Sequence, residues 1–378
     1  AGAPHPDEVD NYTQTHYQAL YNHTVNQNWY LGFAGHYTKG SGYFEQYKAD
    51  EALNDYGLND VVLGDTAISE TNLIRRRWLD NDFYVFNANA NYKNEVINFT
   101  FGTSYNTYTG NHFGEIIWAR FASDSEIGDQ YYNGLGKKKD FSIFSKATYR
   151  LNNKISLFGD LQMRFVNYKT SGLTSDRVNM LIDENYNFFN PKAGITYKLN
   201  PENNLYFSYA RANREPSRSD FESNPNIKPE QLNDFELGWR HNTNALKINT
   251  NVYYMLYNEQ LVLSGAIDNT GAPIRTNSGA SYRLGIEVEA TLQVSKKLAI
   301  QPNLTFSSNK NQQTISQIDG ELVDLGKTNI SFSPEFVAAN ALIYQPVSNL
   351  QLSFLSKYVG EQFMGNTDSE ASKLGSYF

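Results

Sequence analysis

Apolar and polar residues alternate one by one along unusually long segments of this chain, and that pattern restricts what it can fold into more than any other feature. In Leu246–Leu256 one face carries Leu246, Ile248, Val252, Tyr254 and Leu256, and the other carries Lys247, Asn249, Asn251 and Tyr253. Leu284, Ile286, Val288, Ala290, Leu292 and Val294 oppose Glu287, Glu289, Thr291 and Gln293. Ile155, Leu157, Leu161 and Met163 oppose Ser156, Asp160, Gln162 and Arg164, and Leu350, Leu352 and Phe354 oppose Gln351, Ser353 and Lys357. A period of two sends successive side chains to opposite sides of a strand, so each segment predicts a strand with one dry face and one wet face.

Turn signals punctuate these segments on a regular beat: Asn26-Gln27-Asn28, Lys93-Asn94-Glu95, Asn152-Asn153-Lys154, Pro201-Glu202-Asn203-Asn204, Thr243-Asn244-Ala245, Ser295-Lys296-Lys297 and Val347-Ser348-Asn349. Successive turns are roughly 40 to 70 residues apart, which predicts seven hairpins and about fourteen strands. Between hairpins lie long polar connections, expected at 49–77, 106–138, 211–230 and 307–327. A soluble β-sandwich also alternates, but its strands cluster near five or six residues and its connections do not sort into tight and extended ends. Short turns at one end and long loops at the other belong to transmembrane up-and-down antiparallel β-barrels. The expected class is therefore all-β, with Asn94, Asn153, Asn203 and Asn244 facing the periplasm.

Composition agrees. The 27 Tyr and 23 Phe suit strands and interfacial girdles, for which Trp29, Trp78, Tyr92, Tyr197, Tyr206 and Trp239 are candidates. Mean hydropathy is −0.56, and no apolar run approaches the roughly 18 to 20 residues of a spanning helix. The net charge of −8 provides no electrostatic footprint for nucleic acid. With no cysteine, thiolate metal sites and disulfides are excluded. The histidines show no metal-ligand spacing, no cofactor is implied, and no catalytic constellation stands out; His16 and His36 read as strand residues facing a wet lumen. Glu287 and Glu289 share a face and read as lumen lining rather than a hydrolytic pair.

The chain opens Ala1-Gly2-Ala3-Pro4-His5-Pro6 without a leader. Stepping back by twos from Phe378 gives Ser376, Leu374, Ser372 and Glu370, which is no lipid-facing strand. An open sheet edge in lipid would leave backbone groups unsatisfied, so the expectation is a fragment of one barrel domain covering 1–378, with barrel ends outside it.

An ordered set of short motifs carries a family resemblance. Phe189-Asn190-Pro191-Lys192-Ala193-Gly194 leads into Leu205-Tyr206-Phe207-Ser208-Tyr209-Ala210. Glu215-Pro216-Ser217, Ile227-Lys228-Pro229-Glu230, Phe235-Glu236-Leu237-Gly238-Trp239, Asn277-Ser278-Gly279 and Gly285-Ile286-Glu287-Val288-Glu289 follow. Upstream stand Asp10-Asn11-Tyr12, His36-Tyr37-Thr38-Lys39-Gly40 and Gly110-Asn111-His112-Phe113-Gly114. Over nearly its whole length the chain resembles the C-terminal barrel region of TonB-dependent outer-membrane receptors.

That resemblance implies a barrel of about 22 strands, of which about fourteen are here, closed by an N-terminal plug domain absent from this sequence. It implies active uptake of a scarce nutrient, foremost an iron–siderophore or related chelate, energised by TonB-ExbB-ExbD through the plug. Other expected contacts are outer-membrane lipid and lipopolysaccharide. The alternative is a passive porin or fatty-acid-type channel with a complete fourteen-stranded barrel. Candidate ligand residues in external loops are Arg75 and Arg77 of the run Arg75-Arg76-Arg77-Trp78, then His112 and Trp118, then Arg214 and Arg218 beside Arg211. For the arginine clusters, contact with lipopolysaccharide phosphates or salt bridges between loops is the plainer reading and carries more weight.

Overall fold

A computed structural model of the chain describes residues 8–267, 273–318 and 321–378. The opening run with His5 and part of the expected loop 307–327 lie outside the described residues. Fourteen long strands follow one another: β1 Asp10–Thr24, β2 Trp29–Ala52, β3 Glu70–Lys93, β4 Ile97–Ala119, β5 Gln130–Arg150, β6 Ile155–Leu173, β7 Asn179–Lys198, β8 Asn203–Arg214, β9 Glu230–Asn242, β10 Leu246–Asn258, β11 Ser281–Ser295, β12 Leu298–Asn311, β13 Phe336–Val347 and β14 Leu350–Val359. In the main sheet they pair in chain order, with the short strand Thr328–Asn329 added beside β12. The expected hairpins and strand number are thus present. No described helix is long and apolar enough to cross a membrane, which says nothing about crossing by strands.

Two compact units divide these strands. One holds Ala1–Asn91, Phe101–Phe144 and Met163–Asn187; the other holds Tyr92–Thr100, Ser145–Gln162 and Phe188–Phe378. In the first, β1 and β2 pair without interruption from Asp10↔Phe44 to Thr24↔Tyr30. In the second, register sets like against like: Ile248 faces Ala290, Val252 faces Ile286 and Tyr254 faces Leu284. On the reverse face Asn249 meets Glu289 and Asn251 meets Glu287. Val252, Tyr254, Leu284, Ile286, Leu292 and Val294 remain exposed. An exposed apolar band of this kind is what a lipid-facing surface requires and what an aqueous surface avoids.

The tight turns work by one device. Asn26 Oδ1 accepts from the amides of Asn28 and Trp29, Asn94 from Val96 and Ile97, Asn152 from Lys154 and Ile155, and Asn200 from Glu202 and Asn203. Thr243 Oγ1 performs the same task for Leu246. Each side chain satisfies backbone donors that the narrow bend leaves unpaired. The side chains that cap three of these turns are therefore Asn152, Asn200 and Thr243, one to three positions before Asn153, Asn203 and Asn244.

Two expectations are corrected. Much of 49–77 and 106–138 is strand: β2 and β3 each run for 24 residues and β4 for 23, whereas a bilayer needs about 9 to 11. The excess continues the sheet beyond the membrane-crossing length, and the actual connections there are 53–69 and 120–129. Tyr206 is also no girdle residue. It faces the polar side, opposite the exposed Leu205 and Phe207, and donates to Asn251 at 3.0 Å.

Its ring lies across Gly238, its direct register partner, where a Cβ would overlap the ring. Tyr253 crosses Gly285 in the same way. Gly238→Ala is expected to destabilise the protein by about 1 to 3 kcal/mol through overpacking. In the Tyr206→Ala background that cost should largely vanish, and a double-mutant cycle of thermal unfolding in detergent measures the coupling.

Candidate functional site

The best-formed constellation of expected site residues lies in the first unit, at the end of the strands away from the tight turns. Alternation splits the arginine run. Arg75 and Arg77 share the face of Leu73, while Arg76 and Trp78 share the face of the exposed Tyr84 and Phe86. On the latter face Arg76 is bound to Glu45 at 2.9 Å and lies 4.3 Å from the Tyr43 ring centroid. Trp78 donates to Glu115 at 2.8 Å and stacks on Phe113.

The Arg75 face is covered by a short 3-10 helix, Leu53–Tyr56, which ends on Gly57 in the left-handed conformation at φ 72°. Leu53 and Tyr56 are buried, and Tyr56 packs with Leu73, Ile116, Tyr131 and Tyr132 into a small apolar core. Gly114 allows that packing, since a Cβ there would overlap the rings of Tyr131 and Tyr132. Arg75 donates to Tyr56 Oη at 3.0 Å and to Gln46 Oε1 at 3.0 Å, and Tyr56 Oη in turn donates to Glu51 at 2.6 Å. Arg77 donates to Ser175 at 2.8 Å and lies over the Phe44 and Tyr132 rings. Arg177, itself at φ 59°, donates to the Tyr131 carbonyl at 2.9 Å.

These groups border a cleft of about 390 Å³ whose lining includes Glu51, Tyr56, Arg75, Tyr131 and Arg177. Burial raises the Tyr56 phenol pKa well above its usual value, and the Glu51 carboxylate adds to that. Burial likewise pushes Tyr131 up to about 12, against the opposing pull of the Arg75 charge. Both phenols are neutral donors and acceptors at neutral pH. Two guanidinium groups beside them offer directional contacts to oxygen-rich ligands, and three carboxylates, Glu51, Asp55 and Asp176, line the same cleft.

The remaining expected residues are placed differently from the reading as external loops. His112 and Trp118 are on β4, on the same face as Ile116, and Trp118 is exposed near the strand end. Arg75 and Arg77 are likewise on a strand. In the second unit Arg214 ends β8 and bonds Glu230, its register partner at the start of β9, at 3.2 Å and the Leu261 carbonyl at 3.2 Å, so the salt bridge joins two strand ends. Arg218 opens the helix α1 Arg218–Ser223, which a capping box of Ser217 and Asp220 starts. Tyr56, Tyr131, Tyr132, Gln46, Glu51 and Arg177 carry no local signal in the sequence; Gly114 between strand residues is the one hint of a close approach.

The family model described as TonB dependent receptor-like, beta-barrel, matches residues 2–378, and the chain belongs to that family. No curated protein matches the sequence. Among solved structures, the siderophore receptor PiuA from Acinetobacter baumannii is similar at 16% identity and TM-score 0.67, over 97% of this chain and 57% of that one. The ferric-catecholate import receptor Fiu from E. coli K12, in its closed form, is similar at 14% and 0.63, over 98% and 57%. The ferric yersiniabactin uptake receptor FyuA from Yersinia pestis is similar at 12% and 0.63, over 100% and 54%. The chain thus spans little more than half the length of these receptors, and the likeness is one of fold.

Two tyrosine variants separate the roles of the phenols. Tyr56→Phe leaves Arg75 and Glu51 each short of a partner and is expected to cost about 1 to 3 kcal/mol. Tyr131→Phe removes a buried hydroxyl that makes no hydrogen bond among the described residues, so it should be neutral or stabilising by up to about 1 kcal/mol. Because burial raises the folded pKa of Tyr131, stability falls as pH rises above the unfolded value of about 10 toward the folded value, and Tyr131→Phe should remove that fall. In an absorbance titration, Tyr131→Phe should remove a phenolate step near pH 12.

Proposed function

We propose that this chain is part of the barrel of an outer-membrane receptor that actively imports a scarce nutrient, foremost an iron–siderophore or related chelate. In this reading its fourteen strands contribute to a barrel of about 22. The exposed apolar faces meet lipid and the polar faces line the lumen. TonB-ExbB-ExbD supplies energy through an N-terminal plug domain elsewhere in the protein. Family membership favours a receptor over the passive channel, and the likeness to receptors whose names specify siderophores or ferric catecholates supports an iron chelate as cargo.

The observation that carries the ligand reading is the position of Arg75. Its guanidinium sits on the polar face, on a strand extension beyond the bilayer length, and its described hydrogen bonds go to the neutral oxygens of Gln46 and Tyr56. A carboxylate or phenolate of an anionic chelate is a stronger acceptor than either and would gain a charge-assisted bond there. Arg77, on the same face of β3, and His112 and Trp118, on the face of β4 that carries Ile116, are further candidates, and Arg214 and Arg218 are secondary ones.

Growth on defined iron chelates under iron limitation, with uptake of labelled iron, tests this in a strain lacking the chromosomal receptor. Arg75→Gln should weaken uptake of the cognate chelate about tenfold at equal surface expression, the cost of one charge-assisted bond. Arg76→Gln, on the opposite face, should leave it unchanged. Normal growth of the deletion strain on every chelate would overturn the reading.

A further inference from the structure

On the exposed apolar face of the first unit, β5 to β7 carry a group of cations distinct from the arginine clusters. Phe141 on β5 and Phe165 on β6 are exposed and stacked, with ring centroids 6.1 Å apart. Parity places Lys139 and Lys137 on the face of Phe141, and Asn167 and Lys169 on the face of Phe165. Asn185 and Asp183 of β7 join them, since Asn167 donates to Asn185 at 2.9 Å and Lys169 is bound to Asp183 at 2.7 Å. The reverse face of β5 and β6 holds a separate pair, Asp140 and Arg164 at 2.6 Å.

Height along the strands matters as much as side. Counted from the tight turn, Phe141 is the tenth residue of β5 and Phe165 the eleventh of β6. A tilted strand crosses a bilayer in about 9 to 11 residues, so the two rings stand at the end of the crossing length. Lys139 and Lys137 follow as the twelfth and fourteenth residues of β5, and Lys169 as the fifteenth of β6. On the lipid-facing side, that is the level of the headgroups, at the end away from the tight turns.

Charge separates this place from the matching level of β2 and β3. There Lys39 is bound by Asp80 at 2.5 Å and by Asp82 at 3.2 Å, above the stacked Tyr37 and Tyr84, so carboxylates outnumber the ammonium group. On β5 to β7 three ammonium groups meet one carboxylate. All three lysines are exposed, and Lys137 and Lys139 make no ion pair among the described residues. The Lys169–Asp183 pair is half exposed and holds Lys169 only weakly. Lys137 and Lys169 each lie four residues beyond a ring of the stacked pair, level on neighbouring strands, where like charges repel.

Apolar rings below and surplus ammonium groups above match an amphiphile with an anionic head. A phosphate monoester carries about two charges and three strong acceptor oxygens, enough to bridge Lys137 and Lys169. We propose that this strip is a retained-lipid site for one phosphorylated glycolipid of the outer leaflet. Its phosphate sits against Lys137, Lys139 and Lys169, and its acyl chains lie over Phe141, Phe165 and the exposed Leu161. The proposal rests on the reading of the exposed apolar faces as lipid-facing, and differs from general lipid contact in being a single site specified by charge.

Native mass spectrometry of the whole receptor in detergent tests it, with bis-phosphorylated lipid A as probe and dephosphorylated lipid A and phosphatidylcholine as comparators. One lipid A should be retained at lipid-to-protein ratios where neither comparator binds. The double change Lys137→Gln and Lys139→Gln should weaken retention at least about tenfold, while Lys296→Gln, at a tight turn, should leave it unchanged. Melting in lipid-free detergent should be the same for all three proteins, because exposed side chains of this kind contribute little to the fold. Millimolar inorganic phosphate, which lacks acyl chains, should not displace the lipid. Equal retention of dephosphorylated lipid A, unchanged affinity in the double variant, or displacement by inorganic phosphate would overturn the proposal. Failure of the receptor to insert into lipid vesicles would instead overturn the lipid-facing reading beneath it.

Discussion

Every feature of this chain depends on the backbone hydrogen-bond ladder between each strand and the next one in sequence. Backbone amides and carbonyls must be paired wherever water cannot reach them, and pairing in chain order meets that requirement with the shortest connections. Once the backbone is committed to the ladder, side chains can only alternate, so each strand presents one apolar and one polar face. Where the ladder bends back on itself, the unpaired amides pass to Asn26, Asn94, Asn152 and Asn200. Tyrosines laid across glycines then link strands that share no ladder: Tyr206 passes Gly238 to reach Asn251, and Tyr12 passes Gly40 to reach Asn81.

Alternation and turns are local, which is why hairpins and strand number could be read from residues alone. Leu246 to Leu256 declares itself within a few positions. The strand extensions were harder because the apolar half of the pattern disappears once no lipid is there to be faced. Asn106, Tyr108, Gly110 and His112 then resemble a polar loop, although all lie on β4. Tyr206 was misplaced for a different reason: an aromatic near a strand end fits a girdle until the parity of Leu205 and Phe207 is applied.

The candidate site shows the same division. Arg75 and Arg77 were legible as a basic run, and parity sends them to a different face from Arg76. What surrounds them was not legible, because Tyr56, Tyr131 and Ser175 reach Arg75 and Arg77 only through tertiary packing between segments remote in sequence. The outward lysines were hidden for a related reason: parity divides the run Lys137-Lys138-Lys139 between two faces, and Lys169 joins it only where Phe165 meets Phe141.

The Asn-capped bends have one more consequence. They are held by uncharged side chains, while the described ion pairs, among them Arg76–Glu45, Lys169–Asp183, Arg214–Glu230 and Lys310–Glu335, all lie well away from them along the strands. Screening acts on the exposed pairs and leaves the amide caps untouched. Ionic strength therefore reaches one end of each hairpin selectively. Salt thereby weakens contacts among the long connections and strand extensions more than it weakens the amide-capped bends.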